Sequence, residues 1–179
     1  AVLTAEDIPV KKHHGLFVDD WPILVGVGER VRYMGDALAL VAAESREIAT
    51  EAVELIRAEF DPRPIVSNPV QARDSDAPLL HQRGNLLKHI EIRHGDLELG
   101  FESADVVLED VYFTPTMDHV FMEPECSVAC PTDDGRMEVY VGSQIPYEDR
   151  RQVAEALGWP RERVRIVGQL MGGGFGGKE

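Results

Sequence analysis

The sequence predicts an α+β fold, and three observations carry that expectation. Two segments repeat apolar residues at helical spacing and are bounded by residues that end helices. Several short segments alternate polar and apolar residues, or run apolar, over strand lengths. One strand–helix–strand unit comes early, and a strand-rich stretch follows it rather than a regular alternation.

In order, residues 1–4 read as the end of a strand, and Glu6-Asp7-Ile8-Pro9 as a turn or short helix. Lys11-Lys12-His13-His14 is a small basic patch, expected as a solvated loop. Adjacent side chains diverge on a strand, and no carboxylate is patterned with the two histidines. Residues 25–27 and 29–33 read as strands around a turn at Gly28, and residues 37–43 as a buried strand. Ser45 is the N-cap of a helix whose apolar side carries Ile48, Ala52, Leu55 and Ile56, with Phe60 near its end. Asp61-Pro62-Arg63-Pro64 stops it, because proline lacks an N–H and biases the preceding residue toward extended backbone. Ile65-Val66 is the next short strand.

Residues 67–87 lack periodicity and are rich in Asp, Arg, Gln and Pro, which marks a linker. Beyond it, residues 86–93 and 105–113 read as strands, with a short helical turn over residues 95–101. Residues 126–130 and 137–141 are two more strands, and Asp134-Gly135 between them predicts a hairpin. A second helix is expected over residues 146–157: Pro146 suits its first turn, Gly158 its C′ position, and Pro160 follows as a stop. Residues 164–167 form a last strand before the glycine tail.

The chain has 179 residues, 44% of them hydrophobic, enough for a packed core. Its net charge of −14 disfavours nucleic acid and anionic membranes, which need a basic face. No run of 18 apolar residues and no signal peptide is visible, so a cytoplasmic protein with no membrane partner is expected. Cys126 and Cys130 stand about 13 Å apart on a strand, too far for a local disulfide. Two reduced, buried thiols are expected. Both ends read as cut, so the chain is expected to be a fragment of a larger protein.

The tail, residues 169–179, sets five glycines around Phe175. Glycine lets another molecule approach the main chain closely and puts bare N–H groups at a surface, which suits anionic oxygens. The spacing Gly172-x4-Gly177-Lys178 fits the start of a P-loop, but Glu179 stands where that loop needs Ser or Thr for Mg²⁺. A flexible linker would carry Ser and avoid a central Phe. Nucleotide binding through residues 172–178 by a small, non-catalytic module stays open as an alternative.

Residues 171–179, MGGGFGGKE, resemble the molybdopterin-contacting loop of the xanthine dehydrogenase and aldehyde oxidase family. Three further stretches resemble that family in the same order: Gly28 to Asp36, Asp118-His119-Val120-Phe121-Met122-Glu123-Pro124-Glu125, and Gly142-Ser143-Gln144-Ile145-Pro146. The resemblance covers nearly the whole chain. It implies an α/β hammerhead domain ending near residue 75, a linker over 76–90, and the start of a molybdopterin-binding domain over 91–179.

The resemblance further implies a molybdenum–molybdopterin cofactor whose metal takes no side-chain ligand. It implies hydroxylation of a purine, another N-heterocycle or an aldehyde with oxygen from water. Electrons would leave through [2Fe-2S] clusters to FAD on partner domains or subunits, and the remainder of the molybdenum-binding subunit would be a partner too. By position, Gly174, Phe175 and Gly176 would lie against the cofactor, with the N–H groups of Phe175 and Gly176 as donors. Glu179 matches the family's substrate-facing glutamate. Met117 stands where well-known members carry a Gln, and a thioether cannot donate a hydrogen bond. Glu123 and Glu125 flank Pro124 and are expected to be structural. The family's general base is absent from these residues, so the isolated fragment is expected to be inactive.

Overall fold

The computed structural model describes residues 1–179 and divides into two compact units. The first comprises residues 1–62 and 119–179, and the second residues 63–118.

The first unit is organised by a three-stranded sheet in the order β5-β6-β7 (Ser127–Pro131, Met137–Val141, Val164–Gly168). β5 and β6 are antiparallel, with Ser127 opposite Val141 and Pro131 opposite Met137. The expected hairpin joins them. Gly135, at φ 79°, donates its N–H to the carbonyl of Thr132 (3.0 Å), a conformation that favours glycine. β6 and β7 are parallel, with Met137 opposite Val164 and Val141 opposite Gly168. A parallel pair needs a crossover, and α3 (Pro146–Leu157) supplies it.

The sequence marks both ends of α3. Pro146 opens it, and Gly158 closes it at φ 66°. Gly158 N–H donates to Glu155 O (3.2 Å) and Trp159 N–H to Ala154 O (2.8 Å), the paired bonds of a Schellman motif. α3 packs on β7, where Ala154 and Val164 are buried. Beyond it, Arg163 stacks 4.0 Å over Trp159 and donates to the Gly135 carbonyl at 2.9 and 3.0 Å, tying the hairpin turn to the start of β7.

Residues 1–62 form smaller pieces. β1 (Val2–Leu3) pairs with β4 (Leu40–Val41), and β2 (His13–His14) pairs with β3 (Trp21–Pro22), both antiparallel. Ala5, Leu24 and Val25 are buried. α1 (Arg46–Leu55) begins at Ser45, whose hydroxyl accepts the Ile48 N–H. Polar contacts join residues 11–15 to α3. Lys11 Nζ lies 2.5 Å from Glu155, His14 Nδ1 3.1 Å from Gln152 Oε1, and Arg151 donates to the Gly15 carbonyl at 3.0 Å.

The second unit holds a 3₁₀ turn at Gln71–Arg73 and the short helix α2 (Leu97–Glu102), started by the Asp96 carboxylate, which accepts the Leu99 N–H. Asn85 donates to the carbonyls of Ala72 and Pro78 and accepts the Leu80 N–H, giving this stretch a local polar knot.

Several expectations are corrected. Residues 25–27, 29–33, 65–66, 86–93 and 105–113 are extended or turning chain rather than strand, and of 37–43 only Leu40–Val41 pair. Alternation makes a segment strand-compatible, but a strand exists only with a partner ladder, and these backbones have none. The 37–43 run is not buried either, since Leu40 is exposed. The first helix ends at Leu55 rather than near Phe60, because Ile56 turns extended (ψ 130°). Its apolar side, Ile48 and Leu55, is exposed, so little packing supports further turns. The basic patch is not a free loop: its histidines pair as β2, and Lys11 joins Asp19 and Glu155. The two cysteines are free but exposed: Cys130 lies in β5, whose five residues are all exposed, and Cys126 immediately precedes it.

Candidate functional site

The site grows from the parallel pair. The C-terminal ends of β6 and β7 lie side by side, which is where open sheets of this kind place ligands. β6 runs into Gly142-Ser143-Gln144 before α3, and β7 runs into the glycine loop. Gln169 N–H still donates to Val141 O (3.0 Å), so the loop starts in register with the sheet.

The loop then makes a tight turn. Gly177 N–H donates to Gly174 O at 2.8 Å, and the two residues between, Phe175 and Gly176, have φ of 54° and 87°. Positive φ at both central positions is the pattern of a type I′ turn. Gly176 takes it freely. Phe175 does so with a strained backbone, and the residue is 73% exposed, so no core burial compels the strain.

Two side chains from elsewhere in the unit hold the turn. Gln144 Oε1 accepts the N–H of Gly176 (2.9 Å) and of Lys178 (3.4 Å), while its own N–H donates to Lys178 O (2.9 Å). Glu123 Oε1 accepts the Gly172 N–H (2.6 Å) and faces the Lys178 ammonium at 2.9 Å. The Lys178 side chain is only 4% exposed, and its Nζ also sits 4.5 Å over the Phe121 ring. The ammonium, aided by backbone N–H groups including that of Gly172, lowers the Glu123 carboxyl to about 2.

The loop is dense as well as tethered. A Cβ at Gly177 would meet His119 and Phe121 at 2.8 Å, and one at Gly174 would collide with the Gln144 carboxamide. Glycine at these two positions is a packing requirement, since neither has a positive φ.

Beside the loop lies an open cavity of about 650 Å³, whose lining includes Glu123, Ser143, Asp149, Gln169, Lys178 and Glu179. Asp149 stands in the first turns of α3. Burial pushes its carboxyl up, and its Oδ2 has no hydrogen-bond partner. Glu179 is exposed at the rim.

Of the sequence-predicted residues, Gly174, Phe175 and Gly176 share one turn, and Glu179 follows its last residue, Gly177, by two. Met117 belongs to the second unit and is exposed. The Gly176 N–H is taken by Gln144, whereas no protein acceptor meets the Phe175 N–H. Sequence reasoning gave no role to Gln144 or Asp149, gave Lys178 a place only in the nucleotide-binding alternative, and gave Glu123 only a structural one. The signal for the Glu123–Lys178 pair was an acidic residue in one family-like stretch and a basic residue in another. Nothing in the sequence says that they meet.

With this geometry in hand, comparison with known proteins defines the class. The model of the molybdopterin cofactor-binding domain matches residues 80–179, and that of the aldehyde oxidase and xanthine dehydrogenase a/b hammerhead domain matches residues 1–64. The chain belongs to the xanthine dehydrogenase and aldehyde oxidase family of molybdenum enzymes. It is 43% identical over its whole length to a probable xanthine dehydrogenase subunit of Bacillus subtilis, covering 24% of that relative. It is 37% identical, over 99% of its length, to the nicotinate dehydrogenase large molybdopterin subunit of Eubacterium barkeri, covering 41% of that protein. Among solved structures, the aldehyde oxidoreductase from Desulfovibrio gigas superposes with a TM-score of 0.81 at 25% identity, over 97% of this chain and 20% of that one. The chain thus spans less than half the length of either of these two relatives. No helix is long and apolar enough to cross a membrane.

Proposed function

We propose that this chain is part of a molybdenum hydroxylase that oxidises a purine, another N-heterocycle or an aldehyde. The observation that carries the reading is the type I′ turn of the glycine loop, which leaves the Phe175 N–H uncommitted at the ends of two parallel strands. A molybdenum–molybdopterin group fits such a loop. Its oxygen ligands call for backbone donors rather than side-chain metal ligands, and the exclusion of Cβ atoms at Gly174 and Gly177 keeps the main chain compact there.

When bound, the cofactor supplies the redox chemistry that inserts oxygen from water at an electron-poor carbon. The chain's own contribution is orientation. Phe175 presents its N–H as a fixed donor, and Gly174 and Gly176 let the backbone approach closely. Met117, which the resemblance matches to a cofactor-contacting position, would donate no hydrogen bond there, because a thioether has no donor. Glu179 serves as the substrate-facing carboxylate: it hydrogen-bonds a ring N–H and holds the heterocycle in its reactive tautomer. Iron–sulfur and FAD groups on partner domains or subunits would accept the electrons.

In this reading residues 1–75 are hammerhead, 76–90 linker and 91–179 the start of the molybdopterin-binding domain, and the isolated chain is inactive. Lys178 weighs against the alternative of a nucleotide-binding module, because its ammonium is buried against Glu123 rather than offered to a phosphate.

The test uses the full-length protein in ¹⁸O-labelled water with an electron-accepting dye and a panel of purines, pyridines and aldehydes. Product carrying ¹⁸O, with turnover lowered by Glu179→Ala on the heterocycles, is the expected result. No oxidised product from any class, or turnover by the isolated 179 residues, contradicts it.

A further inference from the structure

The Gln144 carboxamide is the one side chain that grips the turn at its centre. Its oxygen accepts the Gly176 N–H at 2.9 Å and the Lys178 N–H at 3.4 Å, and the Gln144 backbone N–H donates to the Lys178 carbonyl at 2.9 Å. Gly174 lies so close to the same carboxamide that no Cβ fits between them. In an isolated type I′ turn the N–H groups of both central residues are free. Here Gln144 takes one of them and so fixes which way the peptide planes face. Only the Phe175 N–H remains for a ligand.

We propose that Gln144 is a positioning residue: by capturing the Gly176 N–H it holds Phe175 at positive φ and aims the Phe175 N–H at the oxygen ligands of the molybdenum cofactor. This deepens the function proposed above and rests on it. Gln144 itself does not touch substrate. Its role is acceptor chemistry at a fixed reach, which separates it from a generic packing role. An acceptor of the same length preserves it. An isosteric apolar side chain, or an acceptor one methylene shorter, does not.

The experiment compares full-length wild-type protein with Gln144→Leu, Gln144→Asn and Gln144→Glu. Molybdenum per chain, the molybdenum electron paramagnetic resonance spectrum after partial reduction, and amide hydrogen exchange of peptides spanning residues 170–179 are measured. Losing the bonds to Gly176 and Lys178 is expected to raise exchange there about tenfold in the Leu and Asn variants. The strands β5 to β7 keep their protection, while molybdenum occupancy falls or the spectrum shifts. Gln144→Glu, whose carboxyl keeps an oxygen at the same reach, restores both readouts. Unchanged exchange in the Leu and Asn variants overturns the clamp. Faster exchange with unchanged occupancy and spectrum overturns the link to the cofactor while leaving the family function intact. Wild-type protein without molybdenum overturns the function itself, and the proposal with it. If Gln144→Leu does not fold, Gln144→Asn against Gln144→Glu decides alone.

Discussion

The Lys178 ammonium lies 2.9 Å from the Glu123 carboxylate, and the two are unequally buried: the lysine side chain is 4% exposed and the glutamate 36%. Removing either partner therefore has different consequences. Glu123→Ala leaves a buried ammonium unpaired and frees the Gly172 N–H. Lys178→Met leaves a carboxylate that still reaches water and still accepts from Gly172. Glu123→Ala is expected to lower the melting temperature of the full-length protein, or the protection of its loop, more than Lys178→Met does. Equal losses would contradict this account of the pair.

The same pair gives a pH dependence with a definite sign. The Glu123 carboxyl is lowered to about 2 from an ordinary value of 4.5. Between those values the unfolded chain binds the proton and the folded chain does not, so stability rises with pH through that window. The contribution is complete above about pH 4.5 and is lost as pH falls toward 2. Urea midpoints measured from pH 5 to pH 2 are expected to fall less steeply in Glu123→Gln. Asp134, also held low, by Arg136 and Thr132, serves as the control through Asp134→Asn.

Gly177 has no free volume. A methyl group there meets His119 and Phe121 at 2.8 Å, both part of the loop's support. Gly177→Ala is expected to cost about 1–3 kcal/mol through overpacking and to lower cofactor occupancy in the full-length protein. Gly142, where an added Cβ comes no nearer than 4.0 Å to its closest neighbour, is the tolerant comparison.

Gly158 closes α3 at φ 66°. Gly158→Ala places a Cβ both in the left-handed region and against Val10, which lies 2.5 Å away. About 1–2 kcal/mol of stability is expected to be lost, read from denaturant unfolding and from faster exchange in the last turn of α3.

The elements legible in the sequence are those whose signals are local. α3 carries its start in Pro146 and its stop in Gly158, and the helix lies where those residues put it. The β5–β6 hairpin is marked by Gly135, and Ser45 by its place before α1. The elements missed depend on distant partners. Residues 105–113 alternate well enough for a strand, yet no ladder meets them, and Leu108 stays 91% exposed. Pairing of His13–His14 with Trp21–Pro22 has no pattern that announces it. The site divides in the same way. The glycine loop announces itself by composition. The Gln144 and Glu123 tethers are contacts across 32 and 49 residues, and only the fold brings them together.

The central claim is that the glycine loop serves a molybdenum cofactor. The most direct test is the molybdenum content, by plasma mass spectrometry, of the full-length protein purified from its own cells grown with molybdate. About one molybdenum per chain is expected. Well-folded protein with no molybdenum would contradict the account.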